Sequence, residues 1–453
     1  MKKSAVITVP NPKLYEKTSK VSSFDNTLQK QIKEMVKTLR IEGGIGIAAN
    51  QLGYPNQVLA IEFKESDKKT AKKKAEIPLT IFLNPEIVEY GKTAECFEEG
   101  CLSVPKIELE VERPGQIKVK YQNEKGKKIK AAPKGLLARV LQHEIDHLNG
   151  LVFTERAKAQ FFQKFPEFKD YKIAFFGSGE FAATILEGLI LLGFNLEIFT
   201  EKSKPAGRDQ QLKSTPVAEV ARKFGEKYIE LEQINIESSF DLLICADFGQ
   251  KIPKSILEKA KIAALNIHPS LLPKYLGPTP IQTAILNRTK TTGVSIIKMT
   301  DKIDEGPIYS QIETEILKND TYPLLRDRLA TLGLKLLIKT LPKIASEEIG
   351  LIPNDISQAT RTRKFSRNDG KVDWSKKPEE IEAQIRALWP WPGTYTFIDD
   401  KRLIIHSAHL KKGKLVLDLV QFEGKKPTKF RDFLRGFKAE KPEWLGKISL
   451  TSD

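Results

Sequence analysis

From Tyr171 onward the chain alternates short apolar runs with helical stretches, and few folds accept that alternation. YKIAFFGSGEFAATILEGLILLG (171–193) reads as strand, glycine turn and helix. NLEIFT, FDLLICADFG and LNIHPSLLP follow as further apolar runs, with helical stretches between them. A strand that is apolar along its whole length is covered on both faces, which is the condition of a parallel, doubly wound sheet. In such a sheet a site is expected at the carboxyl ends of the strands.

The first 165 residues have another texture. FDNTLQKQIKEMVKTLRIEG places Leu28, Ile32, Met35, Val36 and Leu39 at helical spacing. VLAIEF, TIFLNPEIVEY and IKVKYQ read as strands, with the lysine-rich KESDKKTAKKKAEIP as a solvated loop between the first two. Residues 351–370 form a polar linker. Beyond it come a helix, the turn-rich WPWPGTYT and the strand-like RLIIHSAHL and KLVLDLV, a small β-rich domain. Three domains are therefore expected, over 1–165, 171–350 and 371–453, and 453 residues let each bury a full core. No run of about 18 apolar residues is present, so no membrane span is expected. The N-terminus carries no apolar segment of the secretory kind. Three cysteines, Cys96, Cys101 and Cys245, make no disulfide framework and point to the cytoplasm. A net charge of +16 suits a polyanionic partner such as RNA.

LQHEIDHLNG (141–150) holds two of the five histidines, His143 and His147, four apart. On a helix that spacing puts both imidazoles on one face, and Glu144 beside them completes H-E-x-x-H, a metal pair with its own general base. A catalytic metal needs a third protein ligand. Cys101, in EGCLS, is the upstream candidate, and a thiolate with two imidazoles suits Fe(II), Zn or Ni. Acyl chemistry also needs oxyanion donors, for which the Gln51 amide and the Leu102 backbone N–H are candidates. Glycines 43, 44 and 46 would let the backbone approach a substrate.

GIGIAANQ (44–51), EGCLS (99–103) and QHEIDHLNG (142–150) resemble, in order, the three signature motifs of the peptide deformylase family. The resemblance covers about residues 1–160. It implies an α+β deformylase-like metal domain, with Cys101, His143 and His147 as ligands and Glu144 as general acid and base. Gln51 and the Leu102 amide would then form the oxyanion hole. The family's metal is typically Fe(II), with Zn or Ni as substitutes, and its substrates are N-formylmethionyl peptides.

In the second region FFGSGEF invites a dinucleotide reading, but Ala182 stands where the third glycine would be, so that reading is set aside. Asn266 and His268, two apart at an extended strand end, face the same side. Asp304 is the candidate partner that would hold and charge the imidazole. An amide, an imidazole and a carboxylate suffice for acyl transfer without metal.

NIHPSLLPKYLGPTPIQTAI, TTGVSIIKM and IDEGPI resemble the formyltransferases that use 10-formyltetrahydrofolate. KPAGRDQQLKSTPV, QATRTRKFSRNDGKVDW and IRALWPWPGTYT are similar to the loop, linker and C-terminal start of the methionyl-tRNA formyltransferase family. The resemblance implies an α/β doubly wound, Rossmann-like domain followed by a small β-barrel-like domain. It also implies that Asn266, His268 and Asp304 are catalytic. Ser270, Leu271, Leu272 and Pro273 would lie near the folate, and Arg208 near the tRNA. Lys302 and Glu305 depart from the family's glycine and threonine, and Gln210 and Gln211 from its lysine pair.

The expected protein is bifunctional, acting on initiator methionyl-tRNA and on nascent N-formylmethionyl peptides at the ribosome. Three rivals stand beside it. The second half could formylate an amino sugar nucleotide, the first could be a metalloprotease, or one half could be a decayed RNA-binding module.

Overall fold

The structure, a computed structural model, describes residues 6–63, 76–206, 211–232, 236–436 and 442–449. The chain divides into two compact units, one of Met1–Asp170 with Glu187–Asn195 and Lys223–Gly225, the other of the remaining residues. Among the described residues no helix is long and apolar enough to cross a membrane.

In the first unit α1 (Asn26–Glu42), β1 (Gly46–Ala48), β2 (Val58–Phe63), β3 (Ile77–Tyr90), β4 (Ala94–Cys101) and β5 (Val104–Pro114) come first. β6 (Ile117–Gln122), β7 (Lys128–Ala131), α2 (Gly135–Leu148) and α3 (Phe153–Lys164) follow. Five strands form one sheet in the order β1-β2-β3-β6-β7, and β4 and β5 form a separate antiparallel pair. Strand periodicity explains the core. In β2, Val58 and Ala60 pack with Leu28, Ile32, Met35, Val36 and Leu39 of α1. Leu59 and Ile61, on the opposite face, pack with Ala138, Leu141, Ile145 and Leu148 of α2. Each fully buried leucine or isoleucine contributes roughly 1.5–3 kcal/mol, so α2 is fastened along its apolar face and its other face is left to the two histidines. α1 starts where the Asp25 carboxylate accepts from the N–H groups of Thr27 and Leu28. It ends at Gly43, whose φ of 71° is left-handed.

The second unit holds β8 (Lys172–Gly177), the greater part of α4 (Glu180–Leu191), of β9 (Asn195–Glu201) and of α5 (Pro216–Phe224), β10 (Lys204–Ala206), β11 (Gln211–Lys213) and β12 (Tyr228–Leu231). Next come β13 (Phe240–Ala246), α6 (Lys254–Leu257), β14 (Ala260–His268), α7 (Pro280–Leu286), β15 (Thr291–Lys298), β16 (Ile308–Glu315) and α8 (Tyr322–Ala345). The seven-stranded sheet runs β12-β9-β8-β13-β14-β15-β16. β8, β13 and β14 pair in parallel, and β12 pairs in parallel with β9, as the apolar runs predict. β15 and β16 depart from that expectation by pairing antiparallel, so the sheet is mixed at that edge. The chain winds outward from β8 through β9 to β12 and returns to β13, which makes the carboxyl ends of β8 and β13 a topological switch point.

The same unit contains α9 (Pro378–Leu388), β17 (Thr394–Ile398), β18 (Lys401–Lys411), β19 (Lys414–Phe422), β20 (Thr428–Lys429) and α10 (Phe430–Gly436). The barrel-like domain expected here is a four-stranded antiparallel sheet, β17-β18-β19-β20. Its core joins Ile381 and Ile385 of α9 to Leu403, Ile405, Leu417 and Val420. Trp374 and Trp444 stack within it, ring centroids 4.7 Å apart. The polar linker is not a free tether. Leu276 and Arg361 form a parallel bridge, and Ile308 and Ile352 an antiparallel one.

Candidate active sites

α2 carries His143 and His147 on one face, with ring centroids 5.0 Å apart. The end of β4 brings Cys101 to them, its Sγ 3.1 Å from His147 Nε2. The three ligand atoms all lie within 4.8 Å of one another. His143 Nδ1 donates to Glu99 Oε2 at 3.0 Å, which leaves its Nε2 lone pair for the centre. A half-buried thiol and two buried imidazoles, one already oriented by a carboxylate, form a donor set that fits a divalent transition metal. Burial acts to lower the His143 pKa, but hydrogen bonds to Cys101 and Glu99 reverse this and raise it well above the usual value. The protons held there are those that metal binding releases.

Glu99 is the hub of a buried ion network. Arg113 donates to its two oxygens at 2.7 and 2.9 Å and to Asp146 at 2.7 Å, and Arg139 donates to Glu99 at 2.7 Å. Burial pushes the Glu99 carboxyl up, but the bonds from His143 and Arg113 outweigh it and hold it at about 2. The hub therefore stays anionic and keeps His143 in one orientation.

Glu144 is buried, and its Oε2 has no hydrogen-bond partner. Burial, with the charges of Glu99 and Asp146 adding to it, pushes its carboxyl up to about 7, although His143 and Arg113 oppose this. A carboxyl so poised can take and return a proton near neutral pH. Gly46 admits it, because a Cβ there would lie 2.4 Å from Glu144 Oε1. At Gly44 a Cβ would lie 3.0 Å from Leu102 Cδ1. The glycines expected to admit a substrate thus also make room for the protein's own side chains. The Ala48 N–H donates to Gln51 Oε1 at 2.8 Å, which turns Gln51 Nε2 toward Ser103 Oγ at 3.1 Å and Cys101 Sγ at 3.5 Å. Gln51, Cys101, Leu102, His143 and Glu144 all line one cavity of 520 Å³.

The second site lies where β14 ends. Asn266 Nδ2 donates to Asp304 Oδ1 at 3.1 Å, and His268 Nδ1 lies 3.5 Å from the same oxygen. Alternation along β14 thus brings amide and imidazole to one carboxylate. His268 Nε2 donates to the Tyr275 carbonyl at 3.0 Å, which fixes the ring. The Gly277 N–H donates to Asp304 Oδ2 at 2.8 Å. Asp304 itself has φ 59°. The loop 270–273 is braced internally. Ser270 Oγ donates to the Lys274 carbonyl at 2.6 Å, and Ser295 Oγ donates to the Ser270 carbonyl at 2.6 Å. Ser270 and Leu272 are buried, while Leu271 and Pro273 are half-buried. The two departures from the family pattern meet here, where Glu305 pairs with Arg361 at 2.5 Å and with Lys302 at 3.9 Å. Arg208 lies outside the described residues.

Three family models match the chain in succession, "Polypeptide deformylase" over residues 3–161, "Formyl transferase" over 171–341 and "Formyl transferase, C-terminal domain" over 364–415. A methionyl-tRNA formyltransferase from Staphylococcus aureus strain MW2 is 39% identical over 248 residues, which are 53% of this chain and 79% of the relative. This chain belongs to the methionyl-tRNA formyltransferase family. Ahead of that part it carries a peptide deformylase domain. Among solved structures, a peptide deformylase from Synechococcus elongatus in complex with actinonin is 34% identical, covering 35% of this chain and 83% of that one, with a TM-score of 0.32. A peptide deformylase from Thermotoga maritima is 36% identical, covering 33% and 95%, with a TM-score of 0.29.

The deformylase domain thus gathers Gln51, Cys101, Leu102, His143, Glu144 and His147, and the formyltransferase domain gathers Asn266, His268 and Asp304. Sequence reasoning had not singled out Glu99, Arg113, Tyr275 or Gly277. Glu99 offered one signal, its place two residues before Cys101. The others act through the backbone or across strands and left none.

Proposed function

We propose that the protein is a bifunctional cytoplasmic enzyme of translation. Residues 1–165 would hydrolyse N-formylmethionyl peptides, including nascent chains at the ribosome. Residues 171–350, with 371–453 engaging the tRNA, would formylate initiator methionyl-tRNA. The observation that carries the first activity is the convergence of Cys101, His143 and His147 beside a buried Glu144 whose Oε2 has no hydrogen-bond partner. Fe(II), or Zn or Ni in its place, bound by those three residues would supply Lewis acidity at the formyl group. Glu144 takes a proton from the attacking water and gives it to the departing amine, so that formate and a free amino terminus result. Gln51 Nε2 and the Leu102 N–H face the developing oxyanion.

In the transfer site the methionyl amine attacks the formyl carbon of 10-formyltetrahydrofolate. Asn266 polarises the formyl oxygen. His268 receives the amine's proton at Nδ1, where Asp304 stabilises the imidazolium. Tetrahydrofolate leaves with a proton on its nitrogen. Leu271 and Pro273 present the faces of the loop 270–273 toward the folate, with buried Ser270 and Leu272 shaping it. Arg208 serves the tRNA. An amino sugar acceptor is not favoured, since the relatives reported above are methionyl-tRNA formyltransferases.

The test incubates the chain with methionyl-tRNA and 10-formyltetrahydrofolate and scores formylmethionyl-tRNA, with Glu144→Ala alongside. Equal accumulation in both, with peptide deformylation lost only in the variant, is expected. No product in either would overturn the transfer reading, and loss of both activities in Glu144→Ala would overturn the two-site reading.

A further inference from the structure

The segment that joins the transfer domain to the C-terminal sheet lies along the transfer site rather than away from it. The Tyr275 N–H donates to Thr360 Oγ1 at 2.8 Å, the Leu276 N–H to the Thr360 carbonyl at 2.8 Å, and the Thr362 N–H to the Leu276 carbonyl at 2.7 Å. Tyr275 is the residue whose carbonyl holds His268, so the segment braces the loop that orients the imidazole. A second contact reaches Asp304 itself. Asn354 Nδ2 donates to the Asp304 carbonyl at 2.9 Å.

That contact falls on an unfavourable piece of backbone. Asp304 has φ 59°, a left-handed conformation that aspartate tolerates better than most residues with a side chain but that still gains from a neighbour that fixes it. From this conformation its carboxylate reaches Asn266, His268 and the Gly277 N–H together. The direction of the Asn354 amide is settled by chemistry, because the flipped amide would set its oxygen against the Asp304 carbonyl. Its Oδ1 is buried with no hydrogen-bond partner. The Nδ2 donor is thus the part of Asn354 that meets the site.

We propose that Asn354 is a positioning residue for formyl transfer, and that its amide holds the Asp304 backbone so that the carboxylate meets Asn266 and His268. The inference rests on the transfer reading given above. The segment 354–362 then has a role beyond connection. It fixes Asp304 from one side and the Tyr275–Leu276 loop from the other, and the mutual distance of the carboxylate and the imidazole depends on both.

Asn354→Asp is the informative variant. It keeps the shape of the side chain and, when ionised, has no hydrogen to donate. In the full chain, Asn354→Asp and Asn354→Ala should each lower kcat for methionyl-tRNA formylation about tenfold, because a displaced catalytic group loses its productive geometry. KM for methionyl-tRNA should stay within about twofold, since no substrate contact is removed. The pH profile of kcat should shift, because the contact between Asp304 and His268 changes. Thermal melting and peptide deformylation serve as controls for folding. Wild-type kcat in Asn354→Asp, or a change confined to KM or to melting, overturns the proposal. His268→Ala is run in parallel. If it too keeps full transfer, the catalytic reading beneath has failed. If it loses transfer while Asn354→Asp does not, only the positioning role falls.

Discussion

Alanine at position 46 would place a methyl carbon 2.4 Å from Glu144 Oε1, 2.8 Å from its Cδ and 2.9 Å from its Cγ. Such atoms ordinarily approach to about 3.5 Å, so the carboxyl must retreat by roughly 1 Å. The backbone of Glu144 cannot follow, because α2 is fastened to the sheet by Leu141, Ile145 and Leu148, so the carboxyl swings toward the cavity that it lines and leaves its place. The backbone at Gly46 is an ordinary strand, paired with Ile61, so alanine meets no torsional penalty and the effect is steric. A displacement of about 1 Å costs on the order of 100-fold in rate. The crowding itself should cost about 1–3 kcal/mol of stability. Gly46→Ala should therefore lower kcat/KM for a formylmethionyl peptide about 100-fold. Metal content should not change, since neither histidine nor Cys101 is touched. Formyl transfer by the same preparation is the internal control. Deformylation within a few-fold of the parent would refute the placement of Glu144 against this strand.

Glu99→Gln should weaken metal retention about 10–100-fold in chelator competition, because the amide orients His143 less firmly than the carboxylate. It also leaves the buried Arg113 cation with only Asp146, so about 3–5 kcal/mol of stability should go with it. Unchanged metal retention would refute the orienting role. The pH dependence of melting gives a separate test. The Glu99 carboxyl sits at about 2, below its ordinary 4.5, so its stabilisation is complete above about 4.5 and is lost as pH falls toward 2. The parent should lose more melting temperature than Glu99→Gln across that window, and parallel curves would contradict the ion network.

What could be read from the sequence were features carried by short spacings. His143 and His147 share a face because a helix repeats every 3.6 residues, and Asn266 and His268 converge because a strand repeats every two. The apolar runs likewise disclosed the parallel part of the second sheet. Arg113 was silent, and Glu99 showed only its nearness to Cys101, because their meeting depends on the register of β4 against β5, which places Glu99 opposite Leu109 with Arg113 four residues on. The antiparallel edge was silent too, since β15 reverses after a helix and the parallel pattern gives no warning of it. The glycine turn 177–179 shows how a local signal can mislead. In the structure the Ser178 and Gly179 N–H groups donate to the Asp247 carbonyl, at 3.1 and 3.3 Å. A Cβ on Gly179 would lie 1.8 Å from Asp247 Oδ2. The place a phosphate would take at the start of α4 is filled by the protein's own carboxylate, which is a stronger ground for setting aside the dinucleotide reading than the missing third glycine.

A chain that both adds and removes formyl groups must keep its hydrolytic site from the product of its transfer site, and the charges of the β4–β5 pair suggest how. Glu95, Glu98, Glu108, Glu110 and Glu112 are exposed on these two strands, against one exposed lysine there, Lys106. Glu98 and Glu108 line the 520 Å³ cavity that holds Cys101 and Glu144, with Lys106 and Arg139 as its basic lining residues. Glu98 and Glu110 are direct cross-strand partners, so two carboxylates share one position of the pair. On a chain of net charge +16 this hairpin is a local exception. A formylated peptide brings no phosphates to it, whereas formylmethionyl-tRNA brings a polyanion, and like charges at an approach surface disfavour the wrong partner. Glu98→Gln with Glu110→Gln should therefore raise hydrolysis of formylmethionyl-tRNA while leaving peptide deformylation near its parental rate. The gain should shrink as salt shortens the Debye length below about 8 Å. If the double variant hydrolyses formylmethionyl-tRNA no faster than its parent at low salt, discrimination lies in the shape of the cavity and not in its charge.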